Sequence, residues 1–168
     1  MYIIKKETDF DIVHIFECGQ CFRFNQRDGY YDGVAFGKYI KIAQRDGGIE
    51  FLNSDMSDIE NIWHNFFDLS NDYRKISSEF NKDKLMDECI NFGYGIKILN
   101  ADIFETLISF IISQNNNIPR IKKIIEKLCE CYGDKIDYDG ECFYTFPMLL
   151  LLRDLHQIVI CNITQTVL

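Results

Sequence analysis

Two adjacent helical patterns separated by three asparagines constrain the fold of this chain more than any other feature. Over residues 103–112 apolar side chains occupy most of the circumference of a helix, which predicts a buried helix. Asn115–Asn117 interrupt that pattern. A second, one-sided pattern has Pro119 in its first turn, where a missing N–H costs nothing, and it ends at Gly133. The sequence therefore predicts a helical hairpin with a short polar turn.

The turn of this predicted hairpin combines amides with positive charge. Residues 118–127 contain four basic side chains and one acidic side chain, and Arg120, Lys122 and Lys123 follow the asparagines almost directly. Amides and an arginine presented together at the end of a hairpin indicate a binding surface. The alternative is an ordinary solvated helix face, on which Glu126 sits among lysines.

The first third of the chain alternates apolar and polar residues with the period of a β-strand. Glycine-containing turn signals separate the alternating stretches, as they do in hairpins. We therefore predict an antiparallel meander over residues 2–53. The stretches are 21–27, 39–45 and 49–53, and the turn signals are Asp28-Gly29 and Asp46-Gly47-Gly48.

The pattern changes to helical after residue 54. Ser57 and Glu60 form a predicted capping box, which an apolar stripe follows. Residues 72–80 and 82–92 read as two further helices, the second ending at Gly93. The stripe consists of Ile59, Ile62, Trp63, Phe66 and Phe67.

A sheet followed by helices predicts an α+β protein. We divide it into an N-terminal sheet-plus-helices domain, residues 1–92, and a helical domain, residues 93–168. Within the second domain, residues 137–147 resemble an ordered loop, and Pro147 is predicted to open another helix.

Charge and hydropathy exclude some classes of protein. A net charge of −8 argues against a protein that coats nucleic acid without specificity. Most of the acidic excess lies in residues 49–91, outside the predicted hairpin. No stretch reads as a membrane span or as the apolar part of a signal peptide, so we expect a cytoplasmic protein.

Seven cysteines, an odd number, indicate free thiols rather than a disulfide framework. Cys18 and Cys21 have the spacing of a redox pair or of half a zinc site. The alternation around them predicts a β context for Cys18, which does not suit a redox pair. Cys129 and Cys131 fall within a helical pattern, where side chains two residues apart diverge, so we expect no metal there.

Two stretches together resemble the 8-oxoguanine DNA glycosylases of the helix-hairpin-helix superfamily. Gly19-Gln-Cys-Phe-Arg-Phe24 is similar to the family's Gly-Gln-Ser-Phe-Arg-Trp. Phe110-Ile-Ile-Ser-Gln-Asn-Asn-Asn-Ile-Pro-Arg120 is similar to its Ser-Phe-Ile-Cys-Ser-Ser-Asn-Asn-Asn-Ile-Ala-Arg. The resemblance covers the chain from about the first strand to Pro147. It implies a TATA-binding-protein-like antiparallel sheet followed by an all-α glycosylase domain that is incomplete here.

The resemblance also implies roles for individual residues. Such enzymes rotate the damaged base out of the duplex and leave a hole opposite a partnerless cytosine. Asn115 would fill this hole, and Arg120 would present a planar donor fork to the cytosine. Asn117 would cap the second helix, a structural role.

Gly19 would recognise the lesion through its backbone carbonyl. 8-Oxoguanine carries a hydrogen on N7, whereas guanine has a lone pair there. A carbonyl oxygen therefore attracts N7 of 8-oxoguanine and repels N7 of guanine. Without the resemblance, Gly19 would be interpreted as a simple turn glycine.

The chain departs from the family in its last third. The family uses a lysine on a glycine-containing hairpin, which forms a Schiff base with the sugar, and a later aspartate. This sequence has no glycine after Gly140 and no lysine after Lys135, and its similarity stops near Met148. We therefore expect no catalytic residue in this chain, a truncated or frame-shifted segment, and no excision by the chain alone.

Three functional hypotheses follow. The first is a base-excision repair protein that binds double-stranded DNA with 8-oxoguanine opposite cytosine. Such a protein would need no cofactor and contact no membrane. It would act in the nucleoid, either as a monomer or together with a separate C-terminal half. The second is a non-catalytic DNA- or partner-binding module. The third is a zinc or thiol-redox protein built on Cys18 and Cys21.

Overall fold

A computed structural model describes residues 2–4, 9–45, 48–80 and 83–148 of the chain. The chain divides into two compact units. The first comprises Met1–Gly33 and Ile40–Ala101, and the second comprises Val34–Tyr39 and Asp102–Leu168. Among the described residues, none of the helices has the length and apolarity needed to cross a membrane.

A five-stranded sheet lies mainly in the first unit, and the adjoining ends of its third and fourth strands fall within Val34–Tyr39 of the second. The strands are β1 (Tyr2–Ile4), β2 (Phe24–Arg27), β3 (Tyr30–Ala35), β4 (Lys38–Arg45) and β5 (Gly48–Phe51). Their order is β1-β5-β4-β3-β2, so β2 to β5 form the predicted meander and β1 joins it beside β5. Asp28 and Gly29 make the two-residue turn between β2 and β3, where Arg27 pairs with Tyr30.

A short helix, α1 (Ile12–Glu17), interrupts the predicted meander. The Asp11 side chain accepts a hydrogen bond from the His14 N–H and so caps the helix. Ile12, Ile15 and Phe16 are buried at helical spacing. The prediction of strands throughout residues 2–53 is therefore wrong in this segment.

Aromatic side chains fill the core of the first unit. Phe16 stacks on Phe24 with ring centroids 4.2 Å apart, and it packs edge-to-face with Phe67 with ring centroids 6.0 Å apart. Trp63, Phe66 and Phe67 are fully buried, as the apolar stripe predicts. These residues bring the helices after the sheet onto the end of α1.

Four helical segments and a wide turn follow the sheet. The cap of the first is Asp55, which accepts from the Asp58 N–H, so the predicted capping box at Ser57 is two residues too late. The helices predicted from residues 72 and 82 are present, and Gly93 follows the second. The segments are α2 (Met56–Asp58), a π-helical turn (Ile59–Trp63), α3 (His64–Phe66), α4 (Tyr73–Phe80) and α5 (Lys84–Phe92).

The predicted helical hairpin lies in the second unit. It consists of α6 (Ile103–Ser113) and α7 (Ile118–Tyr132), with Gly133 at the end of α7. The apolar face of α7 buries Ile121 and Ile125. Both helices begin at a capping residue and end where their sequence patterns stop.

The first helix of this hairpin is exposed over much of its surface. Ile103 is 85% exposed and Phe110 is 65% exposed, and Ser109 is the one residue of α6 classed as buried. The prediction that this helix is buried is therefore wrong within the described residues. An apolar pattern on all sides shows that a helix can be buried. Burial also requires other segments of the protein to pack against the helix, and the pattern does not indicate which segments do so.

Residues 135–144 form a β-hairpin rather than a loop. β6 (Lys135–Tyr138) pairs with β7 (Glu141–Tyr144) across Asp139 and Gly140, both at positive φ. This turn is an Asp-Gly hairpin signal, and the loop prediction is wrong because it gave that signal too little weight. Within the same unit, Tyr39 stacks on Phe143 at 3.8 Å. The helix predicted from Pro147 lies almost entirely outside the described residues.

Candidate nucleic-acid interface

The three asparagines between α6 and α7 have different surroundings. Asn116 Nδ2 donates to the Ile112 carbonyl at 2.7 Å, and Asn117 Oδ1 accepts from the Arg120 N–H at 3.0 Å. Asn117 is thus the N-cap of α7. Asn115 is exposed, and its amide has no hydrogen-bond partner among the described residues. Among the three side chains, only that of Asn115 is exposed and makes no hydrogen bond to the described part of the chain.

The backbone of Asn115 has a left-handed conformation, with φ at +56°. Asparagine occupies this region several-fold more often than most other residues with a side chain. Asn115 is exposed and lies in the short connection between the end of α6 at Ser113 and the start of α7 at Ile118.

Arg120 follows in the first turn of α7 and is half-buried. Its guanidinium makes no hydrogen bond or ion pair with the part of the chain that the structure describes. The positive end of the α7 dipole lies at the same place, and Lys123 is exposed one turn further on. The turn therefore offers an exposed amide and an uncommitted planar donor to an electron-rich partner.

Gly19 lies in the first unit, in the loop between α1 and β2. Its φ is +85°, and a β-carbon added there would meet no atom within 4 Å. The positive φ favours glycine, as the simple turn interpretation requires. The open space beside the Cα is an additional observation, because it allows a flat ligand to approach the backbone closely.

Gln20 fixes the loop that contains Gly19. Its Nε2 donates to the carbonyls of Ile15, at 3.0 Å, and Lys97, at 2.9 Å. Its Oε1 accepts from the Leu99 N–H at 2.9 Å. The sequence contained Gln20 in the Gly-Gln-x-Phe motif, but it gave no indication of this bracing role.

Lys97, whose carbonyl Gln20 binds, is a fully buried lysine. Its Nζ lies 3.5 Å from the Asp9 carboxylate and 3.4 Å from the carbonyl of Asn71. It also sits 4.5 Å from the centre of the Tyr73 ring. No sequence pattern indicated this lysine, because its partners lie far away in the chain.

Tyr73 connects the same cluster to Asp68. Burial raises the pKa of Tyr73, and the hydrogen bond that its hydroxyl donates to Asp68 raises it further, while the bond from the Ile98 N–H acts in the opposite direction. The phenol therefore stays neutral at physiological pH. In that form it donates to Asp68 and accepts from Ile98 at once.

The cysteine pair does not lie in a strand. Cys18 ends α1, and its thiol donates to the Ile15 carbonyl at 3.4 Å, so the predicted β context is wrong. The six cysteines that the structure describes form no disulfide bond with one another. Across the described ranges, no group of three or more histidine, cysteine, aspartate and glutamate side chains could hold a metal ion.

Known proteins resemble this chain in sequence. The model of a family described as 8-oxoguanine DNA glycosylase, N-terminal domain, matches residues 2–107. The N-glycosylase/DNA lyase OGG1 of Arabidopsis thaliana is 26% identical, with 84% of this chain and 41% of that protein covered.

Solved structures resemble it more closely. MBOgg1, in complex with a low-affinity DNA ligand, superposes with a TM-score of 0.88 and 41% identity, over 95% of this chain and 56% of that one. The 8-oxoguanine glycosylase/lyase of Clostridium acetobutylicum is described in complex with double-stranded DNA containing cytosine opposite 8-oxoguanine. It superposes with a TM-score of 0.86 and 40% identity, over 90% of this chain and 53% of that one.

This chain thus spans about half the length of these relatives. The family model nevertheless covers well over half of this chain, including the sheet, the Gly19 loop and the start of α6. The α+β architecture predicted from the sequence is confirmed by the similarity to the two solved structures. On this evidence the chain belongs to the 8-oxoguanine DNA glycosylase family, as a member that matches its N-terminal domain.

Proposed function

We propose that this chain recognises 8-oxoguanine opposite cytosine in double-stranded DNA, as a base-excision repair protein. Family membership supports the proposal, as does the similarity to a Clostridium acetobutylicum enzyme described with that lesion and that opposite base. The observation that carries it is the state of the polar turn. Two of its three asparagines are used internally, whereas the amide of Asn115 and the guanidinium of Arg120 remain available.

Each residue has a physical role in this proposal. Rotating the damaged base out of the stack leaves a hole, which a short side chain on a rigid turn can fill. Asn115 meets both requirements, since it is exposed and its backbone lies between two helix ends. Arg120 donates two parallel hydrogen bonds to N3 and O2 of the partnerless cytosine.

Gly19 reads the extruded base. Its carbonyl accepts the N7 hydrogen of 8-oxoguanine, whereas guanine would present a lone pair to the same oxygen. The open space beside its Cα suits the close approach of a flat base.

Replacing Arg120 by alanine should remove the preference for cytosine as the opposite base. The measurement is competition binding of the full chain to two duplexes that carry an abasic-site analogue, one opposite cytosine and one opposite thymine. Thymine presents a donor at N3 where cytosine presents an acceptor. Loss of the donor fork should cost about 1–3 kcal/mol of this discrimination, roughly tenfold in the affinity ratio.

The matched control for Arg120→Ala is Lys123→Ala, which removes an exposed positive charge from the same helix. It should weaken binding to both duplexes equally and reduce the dependence of affinity on salt. Identical behaviour of the two variants would contradict the role of Arg120, because it would leave charge alone as the cause.

A second candidate function is damage recognition without excision. It is favoured by the match of residues 2–107 to a family model described as an N-terminal domain, and by the available amide of Asn115 and guanidinium of Arg120, which are recognition groups. We propose that these residues bind the lesion and do not excise it. Borohydride trapping on an 8-oxoguanine·cytosine duplex should yield no covalent adduct, and an adduct would show that a lysine of this chain performs the chemistry.

A further inference from the structure

We propose that Gln20 is a positioning residue that sets the direction of the Gly19 backbone and thereby the selectivity for 8-oxoguanine over guanine. The inference rests on the proposed role of the Gly19 carbonyl and adds a residue to it. Nothing in the sequence assigned a role to Gln20.

Gly19 cannot fix its own orientation. It has no side chain, it adopts a positive φ of +85°, and the space beside its Cα is open. Glycine is also the residue with the greatest backbone freedom. The direction of its peptide groups must therefore be set by neighbouring residues, and Gln20 is the next residue in the chain.

The side chain of Gln20 uses its hydrogen-bonding capacity for this purpose. It donates both amide hydrogens, one to the Ile15 carbonyl in α1 and one to the Lys97 carbonyl, and it accepts from the Leu99 N–H. These partners lie on two separate segments. The loop is consequently held from both sides, by the helix before it and by residues 97–99.

The second of these segments is itself firmly held. Lys97 is fully buried with its ammonium against Asp9, and Asp9 is also buried. The Ile98 N–H donates to the Tyr73 hydroxyl at 3.0 Å. Gln20 thus connects the Gly19 loop to a buried and hydrogen-bonded part of the first unit.

A small rotation of the Gly19 peptide would matter for selectivity. Hydrogen bonds weaken steeply as their angle departs from linearity, and the repulsion between a carbonyl and the guanine lone pair weakens likewise. If the loop is loosened, both the attraction to 8-oxoguanine and the repulsion of guanine become weaker. Discrimination between the two bases should fall while contacts elsewhere on the duplex persist.

The test compares the affinities of the full chain for three duplexes at one salt concentration. They carry 8-oxoguanine, guanine or an abasic-site analogue, each opposite cytosine. Gln20→Ala should reduce the ratio of 8-oxoguanine to guanine affinity by about tenfold. Its affinity for the abasic duplex should remain within about twofold of the wild type, because that duplex presents no base to Gly19.

Gln44→Ala is the matched control. Gln44 also braces the backbone, because it donates to the Phe10 carbonyl at 2.6 Å and accepts from the Ile12 N–H at 2.9 Å. It acts at the other end of α1 and should lower stability without changing the affinity ratio. Gln20→Glu is the second variant. The glutamate side chain has the same size and can still accept the hydrogen bond from the Leu99 N–H, but it has no N–H to donate to the carbonyls of Ile15 and Lys97.

The outcomes separate this inference from the proposed function. A wild-type chain that does not prefer 8-oxoguanine to guanine overturns the role of Gly19 and this inference with it. A wild-type preference that survives in Gln20→Glu, or an equal loss in Gln44→Ala, overturns the positioning role alone. A loss confined to the Gln20 variants, with abasic binding preserved, supports it.

Discussion

Replacing Lys97 by alanine should lower the free energy of unfolding by about 3–5 kcal/mol. The ammonium of Lys97 is fully buried and lies 3.5 Å from the carboxylate of Asp9, which is 5% exposed. Removing the cation leaves an acidic group buried without its counter-charge, and it also removes the contact with the Tyr73 ring. Denaturant unfolding of the full chain measures the change.

Two further variants test the cause of that loss. Removing both charges together, with Asp9→Asn and Lys97→Met, should recover a large part of the stability, because no buried charge then remains. Lys84→Ala breaks an exposed pair with Glu88 and should leave the unfolding free energy almost unchanged. If Lys97→Ala behaved like Lys84→Ala, the buried ion pair would not hold the first unit together.

Replacing Gly133 by alanine should destabilise the second unit by about 3 kcal/mol. A β-carbon there would overlap the carbonyl oxygen of Thr145 and would lie 2.7 Å from that of Cys129. Both contacts are with backbone, which cannot rotate away. The residue marks the place where β7 passes the end of α7, and its N–H donates to the Cys129 carbonyl at 2.7 Å.

Gly140→Ala is the comparison for Gly133→Ala. Gly140 has a positive φ of +80° but open space around its Cα, so alanine there should cost only about 1 kcal/mol of backbone strain. Gly133 has a φ of −85°, which any residue can adopt. A larger loss in the unfolding free energy for Gly140→Ala than for Gly133→Ala would contradict the steric explanation. Denaturant unfolding again provides the measurement.

The helical hairpin could be predicted from the sequence because its signals are local. Asn117 as the cap, Pro119 in the first turn and Gly133 at the end all act within one turn of the helix that they delimit. The strands between residues 24 and 51 were predictable for a similar reason. Alternation and an Asp-Gly turn are properties of neighbouring residues.

Short elements were missed where local signals are weak or ambiguous. α1 is only six residues long, and the segment acquires its identity from the Asp11 cap and from burial against the core. The β6–β7 hairpin has strands of only four residues, so its Asp139-Gly140 turn was the one strong signal. In both cases tertiary contacts decide between two locally acceptable conformations.

The bracing residues could not be found from the sequence at all. Gln20 binds residues 77 and 79 positions further along the chain, and a sequence pattern contains no information on such pairs. The exposed surface of α6 is a related case. Its composition indicates compatibility with burial, whereas the covering segment depends on the rest of the fold.

Competition binding of the full chain to an 8-oxoguanine·cytosine duplex and to the same duplex with guanine·cytosine tests the central claim most directly. The carbonyl of a well-positioned Gly19 should give a preference of about tenfold or more for the lesion at constant salt. Equal affinity for the two duplexes would contradict lesion recognition by this chain.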